Sequence, residues 1–303
     1  MLSHSVNRYI TLRRRFGYKL VQLNRLLLAF ASFAEERGDT HICKSTALAW
    51  ATSASTTGTR YVRLRAVAMF AGFLHAENQR HELIPDQVFP CPKGRLMPYI
   101  YSPEEIVRLT SAAKRLPLTY PLRRQTYATM FGLIASTGMR ISEALSLKVT
   151  DVCKDGLLQI RHGKGGKARV IPLHKSTVAA LKSYLSLRCM VATKNYHLFL
   201  SAHRRQISRN MAAYTFRRLT LLAGITETGT RPCRIHDLRH TFATRSLEQC
   251  RTDRRSVAAH FVALATYLGH ADIAHTYWYL EATPELMTDI SAAAEILVGG
   301  EAA

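Results

Sequence analysis

Apolar positions recur at helical spacing along most of this chain. Leu20, Leu23, Leu27, Phe30 and Ala34 line one face of a segment running from Phe16 to Gly38, and Gly38 is a natural stop. Ser45–Ala51 predicts a second helix. The run Thr52–Thr59, rich in Ser, Thr and Gly, predicts a loop, and Leu64, Val67, Ala71 and Leu74 predict a third helix beyond it. Residues 1–84 are thus expected to form a small helical bundle. Pro85, Pro90, Pro92 and Pro98, with Gly94, mark an extended linker over 85–101. Ser102-Pro103-Glu104-Glu105 then opens a helix: a hydroxyl N-cap, proline at the first position, and a glutamate at the third that can reach back to the cap. A second domain, 102–303, begins there.

In this second domain Tyr127, Met130, Phe131 and Ile134 form a stripe that stops at Ser136-Thr137-Gly138, and Ile141, Ala144, Leu145 and Val149 bury the next short helix. Asp155-Gly156 predicts a turn, and Leu157–Arg161 with Ala168–Leu173 a strand pair. His174–Arg188 is amphipathic, with Val178, Leu181 and Leu185 inward; His197–Leu200 suits a short strand, and Arg204 to Leu222 a basic helix. Leu238, Phe242 and Leu247 share one helix face. Val257, Phe261, Leu264 and Leu268 share another, closed by Gly269 as a C-cap. A short helix carries Tyr277 and Tyr279, and Pro284–Val298 a last one with Leu286, Ile290, Ala294 and Leu297 apolar. The fold class expected is mainly α with one small β-hairpin, an N-terminal helical bundle followed by an α+β domain.

Composition adds a partner. The 303 residues carry a formal net charge of +21, with 42 Lys and Arg against 21 Asp and Glu. Met1–Arg95 holds 14 basic and 6 acidic residues and the remainder 28 and 15, so the excess is no tail. A positive balance spread over both parts calls for an anionic partner, most simply nucleic acid, and a clamp of two domains on double-stranded DNA would have this charge. Candidate phosphate contacts are Arg13, Arg14 and Arg15, taken as a basic arm ahead of the first helix, Arg60 and Arg63 on a shared face, and Arg204 and Arg205 on the basic helix. The six Cys show no C-x-x-C pair and no metal spacing with His, which fits reduced thiols and a cytoplasmic setting. No signal peptide and no membrane-length apolar run is present, so no membrane partner is expected.

The candidate chemistry lies in a few short stretches. His236 and Arg239 stand three apart and share a helix face; His270 follows Leu268-Gly269; Tyr279 comes nine residues after His270. Upstream, STGMRISEALSL places Arg140 on a turn with Glu143 three residues on, and the loop HGKGGK joins the two strands. That loop lacks the G-x-x-x-x-G-K-[ST] pattern and does not lead from strand to helix, so it is not a nucleotide phosphate loop. His-x-x-Arg, Leu-Gly-His and the following Tyr, with the arginine box and the hairpin lysine upstream, resemble the active-site signature of the tyrosine recombinases, the phage-integrase family. The resemblance implies that residues 1–84 are a core-binding domain and 102–303 a catalytic domain ending in an exchange helix. It implies a site of Arg140, Lys164, His236, Arg239, His270 and the nucleophile Tyr279, with Glu143 holding Arg140. Lys167 is the alternative to Lys164.

Those roles imply a reaction. Tyr279 attacks a DNA phosphate and leaves a 3′-phosphotyrosine; a 5′-hydroxyl of another strand reverses the step, so the bond energy is kept without ATP. Arg140 and Arg239 would clamp the nonbridging oxygens, His270 would add a bond, Lys164 would protonate the leaving oxygen, and His236 would help take the tyrosine proton. No carboxylate cluster suits paired Mg²⁺ ions, so no metal and no cofactor is expected, and a metal nuclease or a transposase of the acidic-triad type is disfavoured. The expected partners are specific recombination sites on DNA and three further copies of the chain in a homo-tetramer assembled there. The role would be integration, excision or transposition of a mobile element, as the ending HTYWYLEATPELM resembles recombinases of bacterial mobile elements. The rival readings are a type IB topoisomerase with the same chemistry, and a non-catalytic DNA-binding relative.

Two tyrosines compete as nucleophile. Ile273, Tyr277 and Leu280 fall on one apolar stripe, while Tyr279 points roughly 200° away at 3.6 residues per turn, toward the more polar face. One departure from the family spacing stands out: the interval from His236 to His270 is several residues longer, with the extra length near Cys250–His260.

Overall fold

In a computed structural model the described residues are 1–18, 20–85, 87–91, 97–153, 155–161, 163, 168–191, 193–225, 233–249 and 254–269. The chain divides into two compact units, Met1–Leu96 and Met97–Ala303.

The first unit holds four helices: α1 Leu2–Arg15, α2 Val21–Glu36, α3 Lys44–Thr52 and α4 Thr57–His75. α1 corrects the expected basic arm. Leu2, Val6, Tyr9 and Ile10 are buried at helical spacing, so the chain is helical from its second residue. Arg13, Arg14 and Arg15 form its last turn, where cations suit the negative end of the helix dipole. Positive φ at Gly17 (84°) and Leu20 (45°) breaks the backbone before α2, which therefore starts later than Phe16. α2 ends at Glu36, and Gly38 takes the left-handed conformation (φ 81°) while its N–H donates to the Glu35 carbonyl. Thr56 caps α4 by accepting from the Thr59 amide at 3.2 Å, so the expected loop is shorter than Thr52–Thr59. Leu27, Phe30, Trp50, Leu64, Val67 and Phe70 are among the residues of the core between these helices.

The second unit begins with the capping box foreseen at Ser102 and Glu105, which opens α5 Pro103–Lys114. α6 Arg123–Thr137 packs against α5 and buries Tyr127, Met130, Phe131 and Ile134. α7 is Ile141–Ser146. Strands β1 Leu157–Ile160 and β2 Arg169–Pro172 pair antiparallel, with Leu158 opposite Ile171 and Ile160 opposite Arg169. The expected strand at His197–Leu200 is reduced to isolated bridges, Lys148 with His197 and Leu200 with Gln206. α8 spans Lys175–Cys189, α9 Arg209–Leu222, α10 Ile235–Glu248 and α11 Arg254–Leu268. α9 begins at its cap Ser208, not at Arg204: Arg204 and Arg205 lie in a turn ahead of it, with φ 55° at Arg204. Arg254–His260, part of the extra length before His270, is the first half of α11. Among the described residues the architecture is mainly helical with one two-stranded sheet.

Candidate active site

Two helices stop at glycines, and their ends meet. α6 ends at Gly138 (φ 60°) and α11 at Gly269 (φ 66°), both left-handed, a conformation in which a Cβ is strained. At Gly138 a Cβ would also lie 2.5 Å from Phe242 Cδ1 and 2.9 Å from Leu268 Cδ2, so only glycine admits α10 and α11 this closely. The last carbonyls of a helix have no partner within it. Here arginines supply them. Arg239, on α10, donates from Nη1 to the Gly138 carbonyl at 2.7 Å and from Nη2 to the Leu268 carbonyl at 2.9 Å. Arg140, the N-cap of α7, donates to Leu268 and Gly269 carbonyls at 3.4 and 3.2 Å. The two arginines that the sequence places 99 residues apart thus share the Leu268 carbonyl as acceptor.

Glu143 anchors Arg140. Its side chain is 1% exposed, and its Oε1 accepts from Arg140 Nη1 at 3.0 Å while its Oε2 accepts from the Arg140 amide at 3.0 Å. A third arginine, absent from the sequence-derived set, completes the carboxylate. Arg169 of β2 donates from Nη1 to Oε1 at 3.0 Å and from Nη2 to Oε2 at 2.9 Å, and its Nε reaches the Tyr267 carbonyl at 2.8 Å. Burial alone would raise the Glu143 pKa; the bonds from Arg169 and Arg140 more than offset it and hold the carboxyl below its usual range. The period of two from buried Ile171 puts Arg169 on the inner face of β2, a signal available in the sequence, but nothing local names its partner.

His236 lies on the first turn of α10, on the wall of an open groove also lined by Arg209, Tyr214, Arg217 and Arg234. Its ring meets His240 edge to face, 4.6 Å between centroids. Partial withdrawal from water, then the positive charge of Arg239, Arg234, Arg140 and Arg209, lowers its pKa to about 4. Its surface opens on the groove, so solvent screens part of that push, and the ring is favoured in its neutral form.

Of the residues expected to act together, Arg140, Glu143 and Arg239 are brought into one cluster. His236 stands on the same helix as Arg239. Lys164, the alternative Lys167, His270, Tyr277 and Tyr279 lie outside the described residues, as does the segment Pro284–Val298. Three of the expected phosphate contacts have intramolecular roles. Arg13 stacks over Tyr9 and Tyr18; Arg60 Nε donates to the Ala54 carbonyl; Arg63 donates to the Trp50 carbonyl and Ser53 hydroxyl and lies over the Trp50 ring. Arg14, Arg15, Arg204 and Arg205 are exposed. No helix of the described residues is long and apolar enough to cross a membrane.

A buried arginine and a half-buried one meet at two helix ends, beside a histidine on the wall of a basic groove, and such a cluster is able to bind an anion such as phosphate. The family model described as "Phage integrase family" matches residues 101–285. The chain is 37% identical over 295 residues to y4rB of Sinorhizobium fredii, a protein described as an integrase/recombinase, with 94% of each chain covered. It superposes on the crystal structure of XerA recombinase with a TM-score of 0.53, at 25% identity and 97% coverage of both chains. A λ integrase tetramer bound to a Holliday junction shares the fold, with a TM-score of 0.64 at 17% identity, covering 92% of this chain and 76% of that one. The chain belongs to the phage-integrase family of tyrosine recombinases, DNA strand-exchange enzymes.

Proposed function

We propose that this recombinase cuts and rejoins double-stranded DNA at specific sites through a 3′-phosphotyrosine on Tyr279, exchanging strands between two sites to move a mobile element. The observation that carries the reading is the convergence of Arg140 and Arg239 on the Leu268 carbonyl, one residue short of Gly269-His270. Their planes are fixed by carbonyls rather than by water, so they need little reorganisation when a phosphate arrives. A pentavalent phosphate anion between them would receive charge-assisted bonds on its nonbridging oxygens. The tyrosine hydroxyl starts near pKa ~10, and the same cations favour its phenolate. His236, held neutral, is able to accept a proton at a ring nitrogen. Lys164, in the hairpin loop, is assigned protonation of the leaving 5′-oxygen, and His270 a further bond to phosphate. No step in this scheme draws on a metal, a cofactor or ATP.

The λ integrase tetramer supports a homo-tetramer of this chain on DNA, with the segment Pro284–Val298 linking neighbouring copies. Relatives described as integrase/recombinase support integration, excision or transposition as the role. The groove lined by Arg209, Arg217 and Arg234 is assigned to DNA backbone, with Arg14, Arg15, Arg204 and Arg205 as exposed outer contacts.

The test is a nicked duplex that traps the covalent adduct by releasing the short cleaved strand. The unmodified protein should form an adduct mapped by peptide sequencing to Tyr279. Tyr279→Phe should bind DNA as tightly and form none, and Tyr277→Phe should still form it. An adduct on Tyr277, or none with the unmodified protein, would reject the assignment.

A further inference from the structure

The reaction as read above uses Arg140 and Arg239 and leaves the third arginine of the cluster without a role. Yet Arg169 is the side chain that joins the three pieces of the site. It grows from β2, the strand that follows the loop carrying Lys164; it grips Glu143 of α7; and it closes the end of α11 through the Tyr267 carbonyl. Both ends of this tie are withdrawn from water, with the Arg169 side chain 13% exposed and that of Glu143 1%. Gly269 belongs to the same fit. A Cβ there would lie 3.0 Å from Arg169 Nη1 and 3.2 Å from its Cζ, so any side chain at this position would push against the guanidinium.

Glu143 has room for about four hydrogen bonds on its two oxygens. The structure fills them with four donors: the amide and Nη1 of Arg140, and Nη1 and Nη2 of Arg169. Half of that shell therefore comes from Arg169. Without it, a buried carboxylate keeps two unsatisfied sites. Glu143 would then turn toward water or draw the Arg140 guanidinium away from the Leu268 and Gly269 carbonyls. Either movement displaces a phosphate clamp by a fraction of its bond length, and rates are sensitive to misplacement on that scale.

We propose that Arg169 is a positioning residue for strand cleavage: it holds Glu143, and through it Arg140, in register with the end of α11 and with the hairpin. The proposal rests on the recombinase reading given above. Lysine is not an adequate replacement, because one ammonium cannot span both carboxylate oxygens and also reach the Tyr267 carbonyl.

Single-turnover adduct formation on the nicked duplex, DNA affinity, and amide hydrogen exchange are to be measured for Arg169→Ala, Arg169→Lys, Glu143→Gln and the double variant Arg169→Ala with Glu143→Gln. Arg169→Ala and Arg169→Lys should each slow adduct formation about 10- to 100-fold. DNA affinity should stay within about twofold, since the guanidinium is turned to protein and not to the groove. The double variant should be no slower than the worse single one, because both act through one link. Loss of two donors lets the Glu143 carboxyl titrate at higher pH, so the acid limb of the rate should move upward in Arg169→Ala and not in the double variant. Exchange should quicken at the Glu143 and Ala144 amides and at Gly269, while the core of α6 stays protected. Arg169→Ala at the unmodified rate, or rate losses that multiply in the double variant, would overturn the proposal. A rate and an affinity that fall together would also overturn it, as that marks simple destabilisation. Failure of the unmodified protein to form any adduct would count against the Tyr279 reading instead. The tie itself is then decided by exchange: unchanged protection at Glu143 and Gly269 in Arg169→Ala rejects it.

Discussion

Arg239 donates to the carbonyl of Leu268 at 2.9 Å from a position that is 1% exposed. Its second bond, to the Gly138 carbonyl, makes one guanidinium the closure of two helices from distant parts of the chain. Burying a cation this fully is costly unless partners replace its water. The negative ends of α6 and α11 are such partners. A side chain assigned to catalysis thus also ties the fold together.

Replacing Arg239 should expose that double duty. In Arg239→Ala the Gly138 carbonyl loses this donor and the Leu268 carbonyl keeps only the longer bond from Arg140, at about 1–3 kcal/mol for a group left unsatisfied, less the relief of no longer burying a charge. We expect urea midpoints to fall clearly, and adduct formation to fall by about 10² or more. Arg239→Lys keeps the charge but cannot reach both carbonyls, so it should resemble the alanine variant. A lysine variant with the stability and rate of the parent would show that charge alone matters.

Gly138 and Gly224 share nearly the same left-handed φ, 60° and 62°. Their surroundings differ: a Cβ at Gly138 meets Phe242 and Leu268, and at Gly224 it meets nothing within 4 Å. Alanine should cost roughly 1–2 kcal/mol at either site from conformation alone. Gly138→Ala should lose a further ~1–3 kcal/mol from overpacking. Equal losses in chemical denaturation would mean that α10 and α11 give way without cost.

His236 should titrate below an ordinary histidine, whose pKa is near 6.5, because partial burial and four arginines disfavour its charged form. The unfolded chain then takes up this proton before the folded one does. Its contribution to stability is therefore present above pH ~6.5 and is lost as pH falls from there toward the folded value of about 4. Proton NMR of the ring should show a midpoint under 6.5, and the adduct rate should hold steady from pH 7 down to that region. A midpoint at or above 6.5 contradicts the reading of His236 as a neutral acceptor.

Adduct formation should be indifferent to EDTA. Charge on the phosphate is assigned to Arg140 and Arg239, whose geometry is set by Glu143 and by helix-end carbonyls. DNA binding as a whole should weaken steeply with salt, as expected when many phosphate contacts release counterions. Adduct formation that stops in EDTA and returns with Mg²⁺ would replace this scheme with a metal-assisted one.

Much of this protein was legible in sequence because the governing rules are local. The stripe of Tyr127, Met130, Phe131 and Ile134, the cap at Ser102 with Glu105, the glycine stops at Gly138 and Gly269, and the pairing of 157–160 with 169–172 all depend on neighbours a few residues away. So did the pairing of Arg140 with Glu143 at helical spacing. The helix α1 is equally legible in Leu2, Val6, Tyr9 and Ile10, although the three arginines at its end suggest an open arm. Local rules end where a long side chain chooses a distant partner. Nothing near Arg169 points to Glu143, 26 residues earlier, or to Tyr267, 98 residues later. Likewise Arg60 and Arg63 suit phosphate in sequence, and only packing turned them onto Ala54, Trp50 and Ser53. A buried guanidinium needs several acceptors at fixed angles. In this site they come from helix ends and a carboxylate that only the tertiary fold brings within 3 Å.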